Sequence, residues 1–180
     1  NIMLSKTVRY KEPKPARDRM GSSPVIAGFG PAGMFCALML ARAGYRPVVV
    51  ERGEAVEERM KWVDSFWNGG RLNPESNAQF GEGGAGTFSD GKLNTQVKEV
   101  YGRISTVLEI FVEHGADESI TYEAKPHIGT DRLVYIVQSI RKEIESLGGE
   151  VRFNTRLVDI DLEKHTPGVL SDEKGTDRRV

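Results

Sequence analysis

Three glycines in the stretch GFGPAG, namely Gly28, Gly30 and Gly33, stand at the G-x-G-x-x-G spacing, and a carboxylate, Glu51, follows about twenty residues later. These residue types in this order suit one task, the holding of a diphosphate and a ribose. Gly28 permits a sharp turn from strand to helix, Gly30 has no side chain to keep a phosphate from the backbone, and Gly33 lets the helix lie close to a sheet. The free amides and partial positive charge of a helix N-terminus then face the phosphates. Glu51 can accept hydrogen bonds from both ribose hydroxyls, and its charge repels a 2′-phosphate. The nucleotide expected is therefore one without that phosphate, FAD or NAD.

Such residues need a strand, a turn and a helix to place them. The run from Val25 to Ala41 carries no charge, and its length approaches that of a membrane-spanning helix. Its central glycines and Pro31 would leave backbone groups unpaired in lipid, so no membrane partner is expected. PVIAGF reads as a buried parallel strand, PAGMFCALMLARAG as a helix ending at Gly44, and RPVVVERG as a second strand. Together they form a βαβ unit, for which a right-handed crossover is expected. The spacing of Val56, Met60, Val63 and Trp67 predicts an amphipathic helix within residues 54–67. Residues 68–96 are glycine-rich without periodicity, a length that points to a functional loop or to disorder. Further helices are predicted within 101–115, closed by Gly115, and within 130–149, capped by Thr130 or Asp131 with Gly148 past its end. EVRFNTRLVDIDLE, residues 150–163, alternates as one or two strands, and SDEKGTD supplies a turn.

The fold class expected is α/β, a Rossmann-like βαβ unit with a parallel sheet. A chain of 180 residues can bury one sizeable core. Residues 1–23, with six basic and two acidic residues and the prolines Pro13 and Pro15, read as a linker and the end of a preceding segment. Residues 24–160 form the dinucleotide-binding domain, incomplete as it stands, and 161–180 begin a connection to a second domain. The start at Asn1 fits a segment of something longer. With 25 basic against 26 acidic residues, nothing draws the chain to nucleic acid or to an anionic membrane, and small molecules are the expected partners. A single cysteine, Cys36, excludes an intrachain disulfide and a cysteine metal cage, and it suits a reducing compartment, hence a cytoplasmic location. Oligomeric state is left open.

VIAGFGPAGMFCALMLARAGYRPVVVERG, including Pro31, Ala32, Glu51 and Arg52, resembles the amino-terminal FAD motif of the two-dinucleotide-binding-domain flavoproteins related to glutathione reductase. NAQFGEGGAGTFSDGKLNT, from Asn77 to Thr95, resembles the second glycine-rich segment of the bacterial uncharacterised FAD-dependent dehydrogenases. The resemblance implies an FAD-binding part of a larger two-domain oxidoreductase that passes hydride through flavin N5, with NADH or NADPH as a conceivable electron donor. It places Gly83, Gly84, Ala85, Gly86 and Thr87 along the cofactor, Ser89, Asp90 and Lys92 near the flavin ring, and the backbone near Leu157 against adenine. A loop of this kind is expected to order upon binding. The later strand ending near ATG and the Gly-Asp segment that complete such sites do not occur in this sequence, so the chain alone is expected to be inactive. An NAD-binding dehydrogenase domain and a non-catalytic nucleotide-binding module remain as alternatives, and SDGK also reads as a plain exposed turn.

No catalytic residue and no substrate can be named from the sequence. His114, His127 and His165 lack the spacing of metal ligands and read as helix end, loop and exposed turn, so no metal is expected. Cys36 reads as a small apolar group, and Trp62 and Trp67 as packing groups on their helix. Arg71 and Asn73 resemble part of a GGGRCN segment in a sister flavoprotein family, with Leu72 in place of the cysteine.

Overall fold

The computed structural model describes residues 8–12, 14, 21–93, 95, 97–161, 166–171 and 177–179. A parallel sheet is built from β1 (Val25–Ala27), β2 (Val48–Val50) and β3 (Glu150–Arg152) in the order β1-β2-β3. Val25 pairs with Val48, and Val48 with Glu150. The helix α1 (Pro31–Arg42) connects the first two strands. The α/β class and the parallel βαβ unit are therefore present as expected.

The central strand is buried at all three positions, whereas β1 exposes Val25 and Ala27. This corrects the reading of PVIAGF as a buried strand. Among the described residues β1 stands at the edge of the sheet, and apolar composition cannot tell an edge from a centre.

Between β2 and β3 the chain forms α2 (Val56–Trp67), a short 3-10 helix at Gly84–Phe88, α3 (Arg103–Glu113), a second 3-10 turn at Glu118–Thr121, and α4 (Thr130–Ser146). Gly129, not Thr130 or Asp131, occupies the N-cap of α4, without a side-chain cap bond. Burial of Met34, Ala37, Leu38 and Ala41 on α1 and of Leu133, Ile136, Val137, Ile140 and Ile144 on α4 follows the 3.6-residue period. These two faces meet over Val49 and Phe29 to make the core, which also takes in Ile110 of α3 and Ile120.

Beyond β3, the left-handed Asn154 turns the chain into β4 (Thr155–Asp161), which with β5 (Thr166–Ser171) and β6 (Asp177–Arg179) forms an antiparallel sheet. EVRFNTRLVDIDLE thus supplies two strands, each in a different sheet. Of the 1–23 linker, residues 8–10 lie against Gly102, while residues 1–7, 13 and 15–20 fall outside the described residues, as do most of the SDEKGTD turn and His165. No helix among the described residues is long and apolar enough to cross a membrane.

Two packing expectations change. Cys36 is exposed on α1 and does not act as a packed apolar group. On α2 the buried positions are Val56, Arg59 and Val63, while Met60 is 37%, Trp62 41% and Trp67 63% exposed. An arginine occupies the inward stripe that the periodicity had assigned to Met60.

Candidate functional site

Gly28, at φ +92°, makes the turn out of β1, and its N–H donates to Val50 O at 2.8 Å. Only a glycine adopts that backbone freely. Gly30 caps α1 and Pro31 opens it, so the first-turn amides of Ala32 and Gly33 lack intrahelical acceptors. A Cβ on Gly33 would lie 2.0 Å from Gly28 O, and this contact fixes how closely α1 meets the turn. A Cβ on Gly30, in contrast, would meet nothing closer than Gly84 Cα at 3.9 Å. Of the three fingerprint glycines, one turns, one packs and one stands open.

Glu51 is 5% exposed. Its Oε2 accepts from Phe29 N at 2.7 Å, and its Oε1 from Gly53 N at 2.9 Å and Gly81 N at 3.1 Å. A carboxylate has about four acceptor positions, so three amide bonds leave one for a ribose hydroxyl. Glu51 therefore also ties the two glycine segments together. Beside it Arg52 donates to Glu75 at 2.9 Å and lies 4.1 Å from the Phe80 ring centre, while Arg156 reaches the other oxygen of Glu75 at 3.2 Å.

The second glycine segment packs against the first. Gly83 N donates to Phe29 O at 2.8 Å and Glu82 N to Glu54 O at 3.1 Å, and a Cβ on Gly84 would come within 3.1 Å of Gly30 Cα. Glu82 is wholly buried, its Oε2 accepting from Val56 N and its Oε1 from Arg141 Nε, both at 2.8 Å. Burial pushes the Glu82 carboxyl above its ordinary range, against the pull of the Val56 amide and Arg141.

Two cavities flank the junction of Gly30 and Gly84. One, of about 430 Å³, is lined by Gly28, Gly30, Glu51, Arg52, Gly84 and Leu157 together with Phe80, Gly81 and Arg156. The other, of about 480 Å³, is mostly apolar and is lined by Pro31, Ala32, Phe35, Gly83, Gly86, Thr87, Phe111, Leu133 and Val137. Gly33 and Ala85 line neither. Ser89 and Lys92 border the apolar cavity, and Lys92 pairs with Asp90 at 2.8 Å, which holds the Asp90 carboxyl below its usual range.

His114 and His127 stay outside both cavities. His114 is buried at the end of α3, with Nδ1 2.7 Å from Ile110 O and Nε2 2.8 Å from Glu143, while His127 faces Lys92 across an isolated antiparallel bridge. Asn73 accepts from the amides of Glu75 and Ser76, a turn-forming role within the loop. Among the described residues no cluster suits a metal ion.

Sequence reasoning passed over Arg59, Glu82 and Phe80. Arg59 had left a signal, a charge three residues after Val56 and four before Val63. Glu82 had left only its place between glycines.

Over 144 residues the chain is 55% identical to an uncharacterized protein of Clostridium beijerinckii, a match covering 80% of this chain and 27% of that relative. The chain thus spans about a quarter of that protein's length. No family model matches. Among solved structures, the flavin-dependent monooxygenase PieE in complex with FAD and substrate superposes at a TM-score of 0.49 and 18% identity, over 88% of this chain and 28% of that one. BexE superposes at 0.49 and 17%, over 89% and 30%.

Proposed function

We propose that the chain is the FAD-binding part of a flavoprotein oxidoreductase. The observation that carries this reading is a pair of cavities at the two glycine segments, one lined by Gly30 and Gly84 beside a carboxylate, the other apolar and lined by their chain neighbours Pro31 and Gly83. A dinucleotide needs such a division, because its adenosine and its second ring are joined through a diphosphate that must pass close to backbone. Glu51, Arg52 and Leu157 would hold the adenosine end, and Gly30, Ala32 and Gly84 the diphosphate. The apolar cavity between Phe35, Phe111 and Val137 would take the flavin ring, with Ser89 and Lys92 at its rim. Bound there, FAD would supply a two-electron centre that accepts hydride at N5. The chain's own contribution is to bind, to orient and to keep water from the ring's apolar edge.

In this reading residues 24–160 are the cofactor domain, a dehydrogenase reaction is the finer assignment, and the substrate and any NADH or NADPH site belong to the rest of a longer cytoplasmic protein. The deciding experiment is a visible spectrum of the longer gene product, followed by denaturation and identification of the released cofactor. FAD is the expected result. Release of NAD, or of an adenine nucleotide with no flavin absorbance, would replace this reading with one of its two alternatives.

A further inference from the structure

Among the described residues Arg59 has the largest completely buried side chain, and it lines neither cavity. Its Nε donates to Asn77 O at 2.8 Å, and its Nη1 to Glu82 O at 2.5 Å and Gly81 O at 3.4 Å. The Phe88 ring covers it at 4.7 Å, and Nη2 is buried with no partner among the described residues. Burial lowers its pKa to about 10, with Glu51 and Glu82 opposing the shift, so it stays charged at neutral pH. Holding a charge there is unfavourable compared with an apolar side chain of similar volume, which would complete the stripe of Val56 and Val63.

The charge acts on peptide planes. In a trans peptide the carbonyl and the following N–H point in opposite directions. Glu82 O and Gly83 N–H belong to one such plane, so Arg59 holding the carbonyl from below turns the amide to Phe29 O at 2.8 Å. Gly81 O and Glu82 N–H form the plane before it, with the amide on Glu54 O at 3.1 Å. In return, the Glu82 carboxylate accepts from Val56 N at the start of the same helix. We propose that Arg59 is a positioning residue, which sets residues 81–84 as the fixed wall of the diphosphate cradle before any ligand arrives. This rests on the FAD reading for the identity of the ligand, but not for the order of events.

Two measurements test it. In the apo-protein, the amides of Glu82 and Gly83 should already be protected from hydrogen exchange. Protection that develops only when FAD is added would overturn the proposal. At a temperature where circular dichroism shows each protein folded, Arg59→Lys should weaken FAD binding by about tenfold and Arg59→Met by more, since the carbonyls lose their fork-shaped donor. Affinity for AMP, which has no diphosphate bridge, should change little. Variants that bind FAD like the wild type, or that lose AMP and FAD equally, would overturn the proposal. If neither variant folds, exchange in the wild type decides. Wild-type protein that binds no FAD would sink the cofactor assignment while leaving the exchange result to judge Arg59.

Discussion

The two glycine segments that meet at Gly30 and Gly84 are held in different ways. GFGPAG, residues 28–33, is shaped mainly from within, by a left-handed Gly28, Pro31 at the first helical position and Gly33 pressed on Gly28 O, with Gly28 bonded to Val50 of the adjoining strand and Phe29 bonded outward, its amide to Glu51 and its carbonyl to Gly83. GEGGAG, residues 81–86, is shaped from outside, by Arg59 of α2 on its carbonyls, Glu51 on the Gly81 amide, and Arg141 on the Glu82 carboxylate. A short-range turn is robust because few groups must cooperate. The second segment depends on a buried network of charges, where loss of one member leaves others unpaired. The second glycine segment accordingly takes its shape from bonds made to it by residues distant in the sequence.

Gly33→Ala should give the largest effect. Its Cβ would sit 2.0 Å from a backbone oxygen that cannot move without breaking the β1 turn, so a loss of about 3 kcal/mol or more is expected in denaturant unfolding. Gly83→Ala is the matched change in the second segment. There the 2.0 Å contact is to the Thr87 hydroxyl, which can rotate away, leaving the cost of φ +81° and a tight approach to the Val137 methyls at 3.1 and 3.3 Å, about 2 kcal/mol in all. Equal losses would show that the two segments are held alike.

Gly30→Val should separate binding from stability. A side chain there meets open space, so unfolding should change little, whereas FAD affinity should fall by about two orders of magnitude as the branched group fills the diphosphate path. A Gly30→Val protein that keeps stoichiometric FAD would remove this turn from the site.

Acid titration sharpens the contrast between the buried network and a half-exposed one. The Glu82 carboxyl is raised from 4.5 by burial, so the folded state binds the proton more tightly than the unfolded chain, and stability falls as pH rises from 4.5 through the folded value. Glu143 is lowered from 4.5, first by its hydrogen bond with Arg42, so its contribution is present above 4.5 and is lost as pH falls through the folded value. Melting curves across pH should therefore show Glu82→Gln flattening the decline above 4.5 and Glu143→Gln flattening the decline below it.

The smallest effect is expected at Cys36. Because its side chain is exposed, a thiol reagent should modify it fully in the native protein, and Cys36→Ser should change stability by no more than about 0.5 kcal/mol. Slow labelling that needs denaturant would restore the reading of Cys36 as a packed group.

Legibility along the chain tracks the range of the interactions. Helix positions on α1, α3 and α4, the turn at Gly28, the stops at Gly44, Gly115 and Gly148, and the close packing at Gly33 were all readable, because helical period and left-handed glycine are local properties of the backbone. The division of residues 150–161 between two sheets and the edge position of β1 were not, since strand pairing depends on which chain segments arrive on either side. The sequence by itself determined a chain of balanced charge with one cysteine and, through the order and spacing of its residues, a dinucleotide-type strand, turn and helix followed by a carboxylate. Only the tertiary structure decided that Glu51 spends three acceptor positions on backbone amides, that Arg59 lies inside and both tryptophans of α2 outside, and that the fingerprint and the second glycine segment close on each other between two cavities. A charge goes inside only where carbonyls and carboxylates from distant segments converge on it, and no local pattern encodes that convergence.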